Sequence, residues 1–204
     1  GTAVITQTEA RLWTDGRYFI QAENELAGSG VKLYKMGNPD VPSVEEYLEA
    51  ALPTNGVLGF DGRVIAMSKG KEYAEKFAYK NVQIEATFDL IDSIWSNRPS
   101  MSEKPVFLLD DNYTGESTAS KLERVREEMR KAKATAHLLI TLDDIAWLLN
   151  MRGSDVAYTP VVLCYAIITL DCVHLFINEA KLSAEIKREF ANHNILLHPY
   201  NDVY

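Results

Sequence analysis

The sequence has only two cysteines in 204 residues, Cys164 and Cys172, and both lie in apolar surroundings. That number excludes a disulfide-stapled scaffold. The two read as reduced, buried thiols, although pairing across a hairpin stays open. No run approaches the roughly 18 apolar residues of a membrane-spanning helix. The opening Gly1-Thr-Ala-Val-Ile-Thr6 has no basic segment before it and carries a strand pattern, unlike a secretory leader. Basic clusters are missing as well. The formal net charge is −8, and the densest basic stretch, Lys121 to Lys133, is interleaved with Glu123, Glu127 and Glu128. Such interleaving marks a solvated helix face, whereas a phosphate-binding surface needs clustered cations. Nucleic acid and membrane are therefore not expected as partners, and the composition points to a soluble cytoplasmic protein.

Familiar catalytic spacings are also absent. There is no Gly-x-x-x-x-Gly-Lys loop, no Gly-x-Gly-x-x-Gly, no His-Glu-x-x-His and no Cys-x-x-Cys. The four histidines, His137, His174, His193 and His198, show no ligand spacing. The pairs Asp110-Asp111 and Asp143-Asp144 read as a turn and a helix start, where carboxylates answer unpaired N–H groups. Neither pair calls for a metal, and no catalytic residue is expected in this chain.

What is present is an ordinary folded composition, 47% hydrophobic and 25% charged. Short β-branched runs at Thr2–Thr6 and Arg11–Trp13 predict a hairpin. Thr14 or Asp15 then caps a helix that ends near Gly28. Val31–Met36 reads as a strand, and Ser43 with Glu46 forms a capping box for the next helix. Val57–Phe60 is a strand, Ser68 opens a helix to about Tyr79, and Val82–Glu85 is a further short strand. Leu90–Trp95 reads as a helical turn. The polar, Pro-containing stretch 96–102 is the linker candidate. Beyond it, Pro105–Leu109 reads as a strand, and Thr118–Lys133 is amphipathic, with Leu122, Val125 and Met129 on one face. Ala136–Thr141 reads as a buried strand and Leu142–Asn150 as a helix started by Asp143 or Asp144. Val161–Thr169 and Val173–Ile177 form adjacent strands, Ser183 caps a helix, and Ile195–His198 is the last strand. The alternation indicates α/β layering around mixed sheets. Both ends read as cut from a longer protein.

Two stretches concentrate chemistry. Trp13-Thr14-Asp15-Gly16-Arg17-Tyr18-Phe19 crowds large aromatics, a carboxylate and a guanidinium around a glycine. Trp147 to Asp155 ends a helix in a polar loop with Arg152 and Asp155 three apart. The plain structural reading of each is a helix terminus stitched by an Arg–Asp contact, with the tryptophan packed beneath.

These stretches carry a resemblance. Leu12-Trp-Thr-Asp-Gly-Arg-Tyr-Phe-Ile-Gln-Ala22 resembles the first-domain motif of three-domain Xaa-Pro aminopeptidases, metallopeptidases of the creatinase/prolidase type. Thr141-Leu-Asp-Asp-Ile-Ala-Trp-Leu-Leu-Asn-Met-Arg-Gly-Ser-Asp-Val156 resembles the second-domain motif, with Asp144 and Met151 standing where Glu and Leu are usual. Asp89–Trp95 with Arg98-Pro99, Tyr113-Thr-Gly115, Tyr158-Thr-Pro-Val161 and His198-Pro-Tyr200 follow in the family's order.

The resemblance implies an α/β fold of two tandem creatinase N-terminal-like domains, each a mixed β-sheet flanked by helices. They would span residues 1–98, without the first elements, and 102–204, without the last. It implies no cofactor in this chain and two divalent ions, usually manganese, in a C-terminal pita-bread domain. The partners it implies are that catalytic domain, short proline-containing peptides and a second copy in a homodimer. Asp15, Arg17, Arg152 and Asp155 are then candidates for a substrate entrance or interdomain surface. The competing reading is a stand-alone α/β binding or adaptor module without peptidase activity.

Overall fold

The expected hairpin opens the chain. In the computed structural model, which describes residues 1–204, β1 (Thr2–Ile5) pairs antiparallel with β2 (Ala10–Thr14) from Thr2↔Trp13 to Ile5↔Ala10. Thr6 closes the turn: its N–H donates to the Glu9 carbonyl (2.8 Å) and its hydroxyl accepts from the Glu9 N–H (3.1 Å). Asp15 acts as a cap, but the turn behind it, Gly16–Tyr18, is 3-10, and only after that turn does α1 (Phe19–Leu26) begin. β3 (Val31–Lys35) returns parallel to β2, completing a three-stranded mixed sheet in the order β1-β2-β3.

The capping box at Ser43 forms as expected. Glu46 N–H donates to the Ser43 hydroxyl (3.1 Å), and the Glu46 carboxylate accepts from the Ser43 N–H (2.7 Å). It starts α2 (Val44–Ala51). β4 (Val57–Gly59), α3 (Met67–Phe77) and β5 (Gln83–Glu85) come next, with β4 and β5 parallel in a sheet of their own. Ser68 does not cap α3; the helix starts one residue earlier, behind Ala66, with no side-chain cap. Leu48, Tyr73 and Phe77 form the buried centre, with Val4, Val44, Leu58 and Ile84 against them. The edge strands β1 and β4 both line an apolar groove of about 960 Å³ that Tyr47, Leu48, Phe60 and Tyr73 floor. Leu90–Trp95 makes a turn closed by Trp95 N–H to the Ile91 carbonyl (3.0 Å).

The chain divides into two compact units, Gly1–Arg98 and Pro99–Tyr204. The second contains β6 (Phe107–Leu108), α4 (Asp111–Thr114), α5 (Thr118–Lys131), β7 (Ala136–Leu139), α6 (Leu142–Leu148) and β8 (Met151–Arg152). β9 (Cys164–Thr169), β10 (Val173–Ile177), α7 (Ala184–Asn192) and β11 (Ile195–His198) complete it. The main sheet runs β11-β10-β9-β7, parallel only between β10 and β11; β6 and β8 form a separate antiparallel pair. Period-two alternation along β9 buries Cys164, Ala166 and Ile168, while Tyr165, Ile167 and Thr169 turn to the other face. Leu122 and Met129 of α5, Ile186 and Phe190 of α7 and Ile145 of α6 pack on the buried face.

Expectations for two of these elements fail. β7 is not a buried strand: it lies at the sheet's edge, and Ala136, His137 and Leu138 are exposed. α6 is preceded by Thr141, which makes no side-chain cap, while Asp143 and Asp144 sit inside its first turn.

Trp13 anchors the first unit. It is 1% exposed, stacks on Tyr34 at 4.7 Å and donates its indole N–H to the Pro42 carbonyl (2.7 Å). Trp13→Ala removes a buried ring and orphans that carbonyl, so urea denaturation is expected to register a loss of about 3–5 kcal/mol.

Candidate functional site

The two chemistry-bearing stretches are built differently. In the first, β2 delivers Asp15 in an extended conformation to the start of the 3-10 turn. Its Oδ1 accepts from the Arg17 N–H (3.1 Å) and Nε (2.8 Å), and Oδ2 accepts from Arg17 Nη2 (3.1 Å). The guanidinium, and after it the backbone N–H, hold the Asp15 carboxyl down to about 2. Arg17 also lies 5.6 Å from the Tyr18 ring centroid. The Arg17 side chain is 80% exposed, so solvent screens the pair and it contributes little to folding. Trp13 is packed beneath, as the plain structural reading expected.

The second stretch departs from that reading. Arg152 and Asp155 do not meet. Arg152, held in β8 opposite Phe107, donates Nη1 to the carbonyls of Ala146 (2.6 Å) and Met151 (3.0 Å). Asp155 turns inward, and its Oδ2 accepts from Lys181 Nζ and from the Leu163 N–H (2.7 Å). The two charged side chains are sealed, at 0% exposure for Lys181 and 1% for Asp155. Burial alone would raise the Asp155 carboxyl; the Lys181 ammonium and the Leu163 and Ser102 hydrogen bonds outweigh it and hold the group below its ordinary value. Between the two residues, Gly153 sits so close to the start of the β9 segment that a Cβ would stand 2.6 Å from Val162 Cγ2. Beyond Asp155 the loop doubles back through a Val156↔Thr159 bridge, with Tyr158 fully exposed at its tip at φ 63°.

Trp147 is not packed beneath its loop either. It is 43% exposed, with Lys121 Nζ 4.7 Å and the Arg124 guanidinium 5.8 Å from its ring. Lys121 is buried without a carboxylate partner and instead donates to the Trp147 carbonyl (2.8 Å) and Asn150 Oδ1 (2.6 Å). Burial pushes its ammonium down. Asn150, left-handed at φ 49°, ends the helix and donates to Asp111 Oδ1 (3.2 Å) and the Glu116 carbonyl (2.9 Å). Sequence reasoning missed Lys121, Asn150 and Lys181. Asn just past a helix is a recognisable end signal, but nothing local marks Lys181, which is 26 residues from its partner.

No group of three His, Cys, Asp or Glu side chains stands close enough to hold a metal ion, so the residues present do not fit a metal centre. Residues 97–204 match a model described as the creatinase/prolidase N-terminal domain, and residues 1–94 match another of the same description. The chain belongs to the creatinase/prolidase N-terminal domain family. Its two fold units are both of that mixed α/β kind. Among relatives of this family, an Xaa-Pro aminopeptidase of Caenorhabditis elegans is 37% identical over 202 residues, covering 98% of this chain and 33% of that protein. Aminopeptidase P2 of Arabidopsis thaliana is 38% identical over 206 residues, covering 100% of this chain and 29% of its own. A crystal structure of X-prolyl aminopeptidase from Caenorhabditis elegans, described as a cytosolic enzyme with a di-nuclear active site, superposes with a TM-score of 0.91 at 37% identity. That match covers 99% of this chain and 33% of the solved one. The creatinase/prolidase N-terminal chain thus spans about a third of the length of its curated relatives. No helix in it is long and apolar enough to cross a membrane.

Removing one member of the sealed pair leaves the other charge buried. Lys181→Met is expected to cost about 3–5 kcal/mol in chemical denaturation, and Lys181→Met with Asp155→Leu to recover most of it. The pH dependence has a fixed sign. Asp155 is depressed in the folded state, so its contribution is complete above the unfolded value of about 3.9 and is lost as pH falls through the folded one. The stability gap between the natural chain and Asp155→Asn should therefore shrink on acidification below about pH 4.

Proposed function

We propose that this chain is the non-catalytic N-terminal region of a cytoplasmic Xaa-Pro aminopeptidase. The whole protein removes the N-terminal residue from peptides with proline second. Proline's tertiary amide has no N–H and a fixed φ, which sets this bond apart from those that general aminopeptidases cleave. In this reading a C-terminal catalytic domain is the chain's partner and holds two divalent ions, manganese in the first instance. The N-terminal region shapes the entrance for short peptides and supports interdomain or homodimer contacts.

One observation carries the reading. The chain matches an X-prolyl aminopeptidase with a di-nuclear active site along 99% of its own length but only 33% of that protein's, and has no metal-capable cluster of its own. The candidate residues divide the work. The Asp15–Arg17 pair, exposed at the surface, is the first candidate for an interdomain or entrance contact, and Arg152, half-buried against the Ala146 and Met151 carbonyls, is the second. Asp155, being sealed against Lys181, acts by holding the loop that presents Arg152 in shape.

The direct test is hydrolysis of a short peptide with proline second, with manganese added, by this 204-residue chain and by the whole protein. Turnover by the whole protein alone is expected; turnover by the chain would mean that an active site lies within it. In the whole protein, Arg152→Ala is expected to raise KM for longer peptides severalfold, beside a fall in melting temperature from the lost bonds to the Ala146 and Met151 carbonyls. Unchanged kcat and KM would remove Arg152 from the entrance.

A further inference from the structure

The two cysteines have different fates. Cys164 is buried at the open end of the β9–β10 hairpin, opposite Ile177, and burial pushes its thiol up to about 12. Cys172 sits at the turn end of the same hairpin, several rungs away, and is only half-buried, so it is not the enclosed thiol that the sequence suggested. The distance along the hairpin keeps the two from pairing with each other.

Cys172 and two histidines are strung together. Its Sγ lies 3.3 Å from His174 Nε2, and His174 Nδ1 lies 2.9 Å from His198 Nε2. Phe176 stacks on the His198 ring at 5.0 Å and fixes its plane. The turn itself is held by Thr169. Its hydroxyl accepts from the Cys172 N–H (3.0 Å) and stands 3.3 Å from Cys172 Sγ. Arg126 reaches the same turn from α5, donating Nε to the Thr169 carbonyl (3.0 Å), while its Nη2 is buried with no hydrogen-bond partner. Nucleophile, base and orienting group at hydrogen-bond spacing form the arrangement that activates a thiol. When His174 Nδ1–H donates to His198, Nε2 is left as the acceptor that faces the thiol.

We propose that Cys172 is a site of thiol–disulfide exchange with low-molecular-weight disulfides, with His174 as its base and His198 as the residue that positions His174. The Cys172 thiol proton passes to His174 Nε2, and the sulfur attacks one sulfur of the disulfide. A Cys172–S–S–R bond forms as the reagent's S–S bond breaks, and the departing thiolate takes the proton from His174. Cys172 is oxidised to a mixed disulfide and half of the reagent is reduced to a thiol, so no further oxidant is needed.

Glutathione disulfide is the probe, with adducts located by peptide mass spectrometry over a range of pH. The expected adduct is confined to Cys172, and the folded chain reacts faster there than the same chain unfolded in urea. His174→Gln should slow the reaction by at least about tenfold, which is below what a positioned base contributes in an enzyme. His198→Gln should slow it less and alter its pH profile, with circular dichroism confirming that each variant is folded. Faster reaction of the unfolded chain, equal reaction of Cys164, or a folded His174→Gln variant with an unchanged rate would each overturn the assignment. The comparison of folded with unfolded natural chain decides the matter even if both histidine variants misfold.

Discussion

The ion pair between Lys181 and Asp155 is the constraint on which the second unit depends. Its two charges come from segments distant in sequence, and neither has water to fall back on. Each is tolerable in the interior only because the other is there. The pair also recruits backbone: Asp155 accepts from Leu163 N–H, and the Lys181 carbonyl accepts from the Val106 N–H (3.0 Å). Three pieces of chain therefore converge on one contact: the lead-in to β6, the loop that precedes β9 and the connection from β10 to α7. A second polar knot, Lys121 with Asn150 and the Trp147 carbonyl, does the same for the end of α6. Together they fix the loop from Met151 to Asp155 from both sides.

The first unit is organised by aromatic stacking instead. Trp13, Tyr34 and Tyr47 lie within about 6.4 Å of one another, and the Arg11 guanidinium stands 4.4 Å from the Tyr47 centroid. These rings tie β2, β3 and α2 together across two sheet strands and one helix. The β4–β5 pair belongs to a different sheet and is joined to this group through α3 and the Tyr73–Phe77 pair.

Elements whose cause is local were legible in the sequence. The Ser43–Glu46 capping box, the Ser183 cap, the amphipathic α5 and the β9–β10 hairpin each arise from a few adjacent residues, and each appears where expected. Elements whose cause is tertiary were not. Whether a strand is central or at an edge depends on its neighbours, so the apolar composition of β7 suggested burial that its edge position denies. The same limit governed the candidate site. Asp15 and Arg17 are two residues apart and their contact could be anticipated. Arg152 and Asp155 looked like a similar pair, but the nearest cation in sequence lost to Lys181, which the fold brings from the far side of the hairpin. Family resemblance reached further than any single motif because ordered motifs carry topology that spacing alone does not.

The absence of a side chain at Gly153 has a mechanical meaning. With no space for even a methyl group against Val162, the Gly153 backbone lies directly on the segment that leads into β9. Gly153 puts no side chain of its own into this seam, so only the Val162 methyl stands between the two stretches of backbone. Bending the loop at Gly153 therefore means displacing the lead-in to β9, so the two form one lip. A surface that meets it must do the conforming.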